Sequence, residues 1–294
     1  MAIFQGSGVA IVTPFTEDKS EIDYNRFETL IEFQLENKTD AIIVTGTTGE
    51  ASTLDDDEHL AAIEFVVKTV ARRVPVIAGV GSNDTRHGLS LSLRAEEAGA
   101  DALLHVTPYY NKTSQQGLVE HFLTFADAVS IPIILYNVPS RTNLSIEPET
   151  LLRLSEHPNI AGLKDATGNL SYTAEVRRLC GDRLDLWSGN DDVILPLLSL
   201  GGKGVISVAA NIIPRETHEL CARFFAGDVA GAAELQLQYK PLIDALFREP
   251  NPIPVKAALT MMSLDTGALR LPLTSASEAT VDHLRHVMQQ AGLI

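Results

Sequence analysis

The most reactive group that this sequence suggests is the amine of Lys164, which ends an apolar run. Residues 159–165 have the pattern of a buried β-strand that stops at a single cation. A buried ammonium is costly unless it is paired or loses its proton. A lysine whose pKa is lowered in this way is a nucleophile that forms a Schiff base with a ketone or an aldehyde. The alternative is a lysine that pairs with Asp165 or extends its amine to solvent.

Two further candidates follow the preceding predicted strand. Tyr136 lies at the end of that strand, where a phenol can donate and accept protons. Arg141 follows a few residues later in a predicted loop, where a guanidinium can bind a carboxylate through two parallel hydrogen bonds. A strand tyrosine and a surface arginine are the alternative, and the local sequence does not decide between them.

The second predicted strand ends in a loop of small and hydroxyl-bearing residues, 46–50, in which Thr47 and Thr48 lie between glycines. Such a loop can hold a carboxylate with its backbone N–H groups and hydroxyls, although Gly-Thr turns are also common without a ligand. Tyr109 and Tyr110 follow the fourth strand, where paired tyrosines serve packing or an interface more often than catalysis, although they could also extend phenol groups into a site. Small residues after the last two strands leave room for a small ligand.

These side chains meet only if the strands before them belong to one sheet. Eight β-type runs alternate with amphipathic helical patterns, at residues 8–12, 41–45, 74–79, 102–107, 132–136, 160–164, 184–188 and 204–208. Eight such units in about 225 residues predict a (β/α)8 TIM barrel rather than an open doubly wound sheet. The predicted barrel domain covers residues 1–227. Residues 228–294 show helical patterns without strand signals and predict a small C-terminal helical domain.

Active sites of this barrel class lie at the carboxyl ends of the strands, so the candidates are predicted to converge at one end. The histidines show no metal-ligand spacing, no phosphate-binding glycine fingerprint is present, and there is no Gly-x-Ser-x-Gly elbow. A lysine nucleophile with a phenol proton carrier, and with neither metal nor cofactor, predicts Schiff-base chemistry of the class I aldolase type.

The composition narrows the class of partner. With 45% hydrophobic and 21% charged residues among 294, it is typical of a globular protein. A net charge of −15 weighs against nucleic acid or an anionic membrane as the partner. There is no signal-peptide pattern and no apolar run long enough to span a bilayer, so a cytoplasmic location is expected. Cys180 and Cys221 have neither metal nor disulfide spacing and are predicted to be buried.

Several motifs resemble those of the dihydrodipicolinate synthases, which belong to the N-acetylneuraminate lyase superfamily. They are GTTGE at 46–50, VTPYYNK at 106–112, LYNVPSRT at 135–142, GLKDATG at 162–168, GGKGVISVAAN at 201–211 and NPIPVKAAL at 251–259. The resemblance covers essentially the whole chain. It implies a lyase with 4-hydroxy-tetrahydrodipicolinate synthase activity, a Schiff-base aldol condensation of pyruvate with L-aspartate 4-semialdehyde in the diaminopimelate route of lysine biosynthesis.

The resemblance also assigns a role to each candidate residue. Lys164 matches the Schiff-base lysine, Tyr136 the proton donor and acceptor, and Thr47, Thr48 and Tyr110 a proton relay in which Tyr110 enters the adjoining subunit's site. Thr48 and the backbone of Ile206 match pyruvate contacts, Arg141 matches the arginine that binds the carboxylate of aspartate semialdehyde, and Gly189 matches a position lining the pocket. No metal and no cofactor beyond the covalent pyruvate–lysine Schiff base is implied, and a homotetramer, as a dimer of dimers, is expected.

Two other functions stay open at this point. Another pyruvate-dependent aldolase or lyase of the superfamily, of the N-acetylneuraminate lyase or keto-deoxy-gluconate aldolase type, would share the lysine and the tyrosine. Lyases usually have Ser-Thr in place of Thr47-Thr48 and lack an arginine at the position of Arg141, so the sequence favours the synthase. A binding protein that kept the barrel and lost activity would lack Lys164, Tyr136 or Thr48, and all three are present.

The resemblance further bears on feedback inhibition, because lysine-sensitive members of the family bind lysine at a subunit interface. His59, Asn83 and Tyr109 match residues of that site. Three positions depart from the sensitive pattern: Ala51 replaces a serine, Asp56 a histidine and His87 a glutamate. Loss of the glutamate removes a partner for the ammonium of lysine, so weak or absent inhibition by lysine is expected.

Overall fold

The structure, a computed structural model that describes residues 2–294, is a closed barrel of eight parallel strands that follow one another in sequence order. The strands are β1 (Gly6–Ala10), β2 (Ala41–Val44), β3 (Val76–Gly79), β4 (Ala102–Val106), β5 (Ile133–Asn137), β6 (Ile160–Asp165), β7 (Asp185–Ser188) and β8 (Gly204–Ser207). Each predicted strand is present with its ends shifted by at most two residues. The predicted TIM barrel is therefore confirmed.

The first strand begins at Gly6, earlier than the apolar pattern indicates, because it closes the barrel against β8. Gly6 lies opposite Gly204 in the strand register. A Cβ on Gly204 would overlap the carbonyl group of Gly6. The two glycines allow a close backbone approach that a side chain would block, and glycine carries no apolar signal for a strand.

Helices connect the strands and continue beyond the last one. They are α1 (Tyr24–Glu36), α2 (Asp56–Val70), α3 (Thr85–Glu97), α4 (Gln115–Ala128), α5 (Pro139–Thr142), α6 (Pro148–Leu154), α7 (Leu170–Cys180), α8 (Ile194–Ser199), α9 (Pro214–Phe225), α10 (Val229–Ala245), α11 (Ile253–Met261) and α12 (Glu278–Gln290). Side-chain caps fix several starts. Asp55 accepts a hydrogen bond from the backbone N–H of Glu58 at 2.9 Å, and Asp228 accepts one from that of Gly231 at 2.9 Å.

Strand residues alternate between the barrel interior and the surrounding helices, which separates two cores. The interior core contains Ile43, Ile77, Leu104, Ile134, Tyr136, Trp187 and Ile206. The larger outer core lies between the strands and the helices. Lys164 pairs with Tyr136 on one side and with Trp187 on the other, so it belongs to the interior layer of these two aromatic residues.

The C-terminal segment contains α10, α11 and α12, which confirms the helical character predicted after residue 228. Helix α10 packs against α9 and α12, and α11 packs against α12. The division into two domains at that residue stays a prediction. Cys180 and Cys221 are buried and unpaired with each other, as predicted. No helix in residues 2–294 is both long and apolar enough to cross a membrane.

Candidate active site

Lys164 lies near the carboxyl end of β6 with its side chain in the barrel interior. It is 6% exposed, and its Nζ lies 4.2 Å from the centroid of the Tyr136 ring. Within residues 2–294, Nζ donates no hydrogen bond and forms no ion pair, which is unusual for a buried ammonium. The amine is therefore enclosed without a partner that would hold it as a cation.

Burial lowers the pKa of Lys164 to about 7, and this is the largest influence on the group. The carboxylate of Asp191 acts in the opposite direction, and the guanidinium of Arg141 lowers the pKa further. A lysine with this pKa is about half deprotonated at neutral pH, because the two forms are equal when pH and pKa coincide. The free base, which is the nucleophilic form, is thus well populated.

Asp165 takes no part in this environment because it lies on the opposite face of β6. Its carboxylate accepts hydrogen bonds from the hydroxyl of Thr173 at 2.6 Å and from the hydroxyl of Thr167 at 2.7 Å. The alternative in which Asp165 pairs with Lys164 is therefore wrong. Adjacent residues of a strand point to opposite faces, and here the aspartate holds the start of α7 while the lysine lines the barrel.

Tyr136 presents its phenol to the same space as Lys164. It is 7% exposed, and burial raises the pKa of the phenol above its ordinary value. The guanidinium of Arg141 and the hydroxyl of Thr47 act in the opposite direction on this pKa. Burial thus keeps the phenol protonated, and the neighbouring Arg141 and Thr47 favour release of its proton.

The loop after β2 brings Thr48 to the site. Thr48 is 3% exposed, and its hydroxyl accepts a hydrogen bond from the side-chain amide of Asn251 at 2.9 Å. The loop ends at Glu50, a buried residue that adopts a left-handed conformation with φ of 54°. Lys256 of α11 donates to the Glu50 carboxylate at 2.7 Å. The C-terminal segment therefore fixes this loop at two points.

Three other candidates line the region around the lysine. Ile206 is fully buried in the barrel interior. Gly189 follows β7, and a Cβ there would lie 2.7 Å from the Cβ of Ala166, so any larger residue would crowd the wall. Arg141 is exposed and lies in the short helix α5 rather than in a loop, because Pro139 starts a helical turn directly after β5.

Tyr110 stands apart from the other candidates within this chain. Its side chain is 95% exposed, and its backbone has a φ of 69°, in the left-handed region. A tyrosine rarely leaves so much apolar surface in water. The proton relay expected of Tyr110 is therefore not assembled among the described residues of one chain, and it stays a prediction.

Two site residues were missed in the sequence. Asp191 is 2% exposed and accepts hydrogen bonds from the hydroxyl of Ser207 and from the backbone N–H groups of Val208 and Ala209, each N–H at 3.0 Å. It directly follows the small residues after β7, so its carboxylate could have been found there. Asn251 carries no such signal, because it is far in sequence from every strand end.

Of the three positions that depart from the lysine-sensitive pattern, Asp56 at the start of α2 and His87 in α3 contact each other. His87 Nε2 lies 2.8 Å from the carboxylate of Asp56, and His87 Nδ1 lies 3.1 Å from the hydroxyl of Ser82. His59 is buried, and its Nε2 lies 2.8 Å from the carbonyl oxygen of Gly79. Burial lowers the pKa of His59. The imidazole of His87 is thus already paired within the chain.

Comparison with known proteins agrees with this geometry. The profile of the dihydrodipicolinate synthetase family matches residues 3–291. A 4-hydroxy-tetrahydrodipicolinate synthase from Caldicellulosiruptor saccharolyticus is 57% identical, over 100% of this chain and 99% of its own. The chloride-inhibited dihydrodipicolinate synthase of Acinetobacter baumannii, solved in complex with pyruvate, is 44% identical with a TM-score of 0.97, over 99% of both chains. The synthase of Cyanidioschyzon merolae, solved with lysine bound, is 41% identical with a TM-score of 0.97, over 100% of both chains.

Proposed function

The chain belongs to the dihydrodipicolinate synthetase family, and we propose that Lys164 carries out its reaction through a Schiff base with pyruvate. The activity is that of a 4-hydroxy-tetrahydrodipicolinate synthase, a lyase of lysine biosynthesis, since the relatives over the whole chain at 49–57% identity have this activity by name. These relatives favour the synthase over the aldolase or lyase alternative. The observation that carries the proposed mechanism is the enclosed, unpaired amine of Lys164 over the ring of Tyr136.

The first step is the attack of the neutral amine on the ketone carbon of pyruvate. A C–N bond forms, the ketone oxygen takes up a proton, and the amine loses one. The Tyr136 phenol can supply the proton that lets the hydroxyl leave as water, which yields the iminium. The partial deprotonation of Lys164 near pH 7 supports this step, because a fully charged ammonium has no lone pair for attack.

The second step makes the carbon–carbon bond. The iminium withdraws electrons, so the pyruvate methyl group loses a proton to the Tyr136 phenolate left by the first step and becomes an enamine carbon. That carbon attacks the aldehyde of aspartate semialdehyde, and the new alkoxide takes a proton from the phenol. The amino group of the semialdehyde then attacks the iminium carbon, which closes the ring and releases the lysine amine. Tyr136, held against Lys164, is the group that moves the protons.

Two ends of the site bind the two substrates in this proposal. Thr48 and the backbone near Ile206 hold the pyruvate carboxylate beside Lys164. Arg141 binds the carboxylate of the semialdehyde, because a guanidinium offers paired N–H donors with the spacing of carboxylate oxygens. Gly189 lets the backbone after β7 pack closely against Ala166 in the wall. Tyr110 completes the relay in a neighbouring subunit, and its exposed ring supports a dimer within a homotetramer.

The activity is tested by giving the purified protein two kinds of substrate. We expect condensation of pyruvate with aspartate semialdehyde, and no cleavage of sugar keto-acids beyond background. Arg141→Lys should raise the KM for the semialdehyde about tenfold and leave the KM for pyruvate unchanged, because one bidentate contact is lost. Cleavage of N-acetylneuraminate or keto-deoxy-gluconate at a higher kcat/KM than condensation would instead support the aldolase alternative.

We further propose that lysine inhibits this enzyme weakly or not at all. His87 is already paired with Asp56, so a lysine ammonium at this place would meet an imidazole instead of a free carboxylate. The triple variant Ala51→Ser, Asp56→His and His87→Glu, which restores the sensitive pattern, should gain inhibition in steady-state assays. A low-micromolar inhibition constant for the unmodified protein would contradict the proposal.

A further inference from the structure

Asn251 joins the two ends of the site, although it lies in the segment between α10 and α11. Its side-chain amide donates to the hydroxyl of Thr48 at 2.9 Å. Its backbone carbonyl accepts a hydrogen bond from Nη2 of Arg141 at 3.2 Å. One residue thus contacts both the threonine proposed to hold pyruvate and the arginine proposed to hold the semialdehyde.

The contact with Thr48 fixes the direction in which its hydroxyl can donate. A threonine hydroxyl has one proton and two lone pairs, and the amide of Asn251 occupies a lone pair. Within residues 2–294, the proton of this buried hydroxyl has no acceptor, so it stays available for a ligand. A hydroxyl that accepts a hydrogen bond also becomes a stronger donor, because the two bonds polarise each other. A carboxylate is the ligand that this arrangement suits.

The remaining polar atom of Asn251 argues against a purely structural role. The side chain is 7% exposed, yet its amide oxygen is buried without a hydrogen-bond partner in the described part of the chain. Amides that serve only packing or loop structure normally satisfy both ends. Here the nitrogen donates to Thr48 and the oxygen has no partner among residues 2–294, so the bond to Thr48 is the one hydrogen bond that the side-chain amide makes there.

The contact with Arg141 leaves most of the guanidinium free. Arginine has five N–H donors, and among the residues that the structure describes one of them binds the carbonyl of Asn251. That bond orients an otherwise exposed side chain at the mouth of the barrel. The other donors remain for a carboxylate, and the flexible arginine needs less ordering when the substrate binds.

We propose that Asn251 is a positioning residue of the active site, which directs the Thr48 proton toward the pyruvate carboxylate and orients Arg141 with its backbone. The C-terminal segment is then part of the active site as well as a neighbour of the barrel. This inference rests on the proposed function, because it takes Thr48 and Arg141 as the groups that bind the two substrates.

The test uses Asn251→Leu, which keeps the approximate shape and removes the donor. The KM for pyruvate should rise about tenfold, since the Thr48 hydroxyl is no longer held in the orientation that donates to the carboxylate. The KM for the semialdehyde should stay within about twofold, because the backbone carbonyl remains in place. Asn251→Ala serves as a second variant with the same expectation, so a poorly folded leucine variant does not end the test.

Thr48→Val provides the matched control. In the Thr48→Val background, Asn251→Leu should cause no further rise in the KM for pyruvate, because the hydroxyl it directs is absent. Equal rises for both substrates, an unchanged KM for pyruvate, or full additivity with Thr48→Val would overturn the inference. Borohydride trapping of pyruvate on Lys164 should persist at saturating pyruvate in every variant except those of Lys164. Failure of trapping in the unmodified protein would refute the proposed function instead.

Discussion

Two of the lysines in residues 2–294 are buried, and the protein uses them in different ways. Lys164 in β6 is 6% exposed, and Lys256 in α11 is fully buried. The two amines lie over aromatic rings, 4.2 Å from the centroid of Tyr136 and 4.5 Å from the centroid of Phe15. Both lysines are buried and both have an aromatic neighbour, so these two features do not decide which lysine is reactive.

Hydrogen-bond partners make the difference. Lys256 donates to the carboxylate of Glu50 at 2.7 Å and to the carbonyl oxygens of Thr13 at 2.8 Å and Ala268 at 2.6 Å. These three acceptors match its three donors. Burial lowers the pKa of Lys256, but the carboxylates of Glu50 and Asp265 oppose this. An ammonium that is fully bonded has no lone pair to offer, whereas the unpaired amine of Lys164 can give up its proton.

The two lysines nevertheless serve the same site. Lys256 holds Glu50, and Glu50 ends the loop that carries Thr48. Arg270 reinforces this point, because its backbone N–H donates to the second carboxylate oxygen of Glu50 at 3.1 Å. In the proposed mechanism one buried lysine is the nucleophile, and the other holds the loop beside it in place.

The largest expected effect follows from Lys164→Met. The kcat for condensation should fall on the order of a thousandfold or more, because the group that bonds to pyruvate is gone. The same change should raise the free energy of unfolding at pH 7 by about 1–3 kcal/mol in urea titrations. Equal activity, or a loss of stability, would count against the role given to this residue.

The gain in stability has a defined pH dependence. The folded-state pKa of Lys164 is about 7, below the ordinary value of 10.5, so between these values the unfolded chain binds more protons than the folded one. The unmodified protein should therefore recover stability relative to Lys164→Met as the pH rises from 7 toward 10.5. Below pH 7 the full difference between the two proteins should be present.

Lys256→Met should have the opposite sign on stability. The change leaves the Glu50 carboxylate buried without its partner, which costs about 3–5 kcal/mol in the free energy of unfolding. Adding Glu50→Gln should recover part of that loss, because the unpaired charge is removed. Lys240→Met, which breaks an exposed pair with Asp244, is the control and should cost less than about 1 kcal/mol. A stable Lys256→Met protein would remove the contrast between the two lysines.

Tyr136→Phe tests whether the aromatic neighbour matters for its ring or for its hydroxyl. The variant gives Lys164 the kind of neighbour that Lys256 has in Phe15. The kcat should fall about 10²–10³-fold, because the proton carrier is lost while the ring remains. Rapid-quench trapping should still detect the adduct with pyruvate, formed more slowly. An unchanged kcat would show that another group moves the protons.

Asp191→Asn produces the smallest expected effect, a shift in the pH profile. Asp191 raises the pKa of Lys164, so its removal should move the acid limb of kcat/KM for pyruvate to lower pH by about 0.5–1 unit. The asparagine oxygen can still accept from the N–H groups of Val208 and Ala209, so the fold should be kept. Asp192→Asn, at the exposed neighbouring position, removes the same charge and should leave the limb in place.

Much of the fold and the centre of the site could be predicted from the sequence because their signals are local. An apolar run that ends in one lysine indicates both a strand and an enclosed amine, and the barrel brings Tyr136 to the same end. The strand order follows from the alternation of elements. The start of β1 at Gly6 cannot be predicted from a local pattern, because a glycine does not contribute to the apolar pattern that marks a strand.

The contacts of the C-terminal segment could not be predicted for a different reason. Lys256 meets Glu50 across 206 residues of sequence, and Asn251 meets Thr48 across 203. Local periodicity marks α11 as a helix but says nothing about the distant groups that its polar residues contact. In the sequence Lys256 is one more helical lysine, and only packing against the loop after β2 distinguishes it.

Borohydride reduction in the presence of pyruvate tests the central contrast most directly. The protein is incubated with saturating pyruvate, reduced, digested and analysed by peptide mass spectrometry. We predict one reduced pyruvate on the peptide that contains Lys164 and an unmodified peptide at Lys256, with less adduct at early times as the pH falls below about 7. An adduct on Lys256 or on any other residue, or no adduct at saturating pyruvate, would contradict the account.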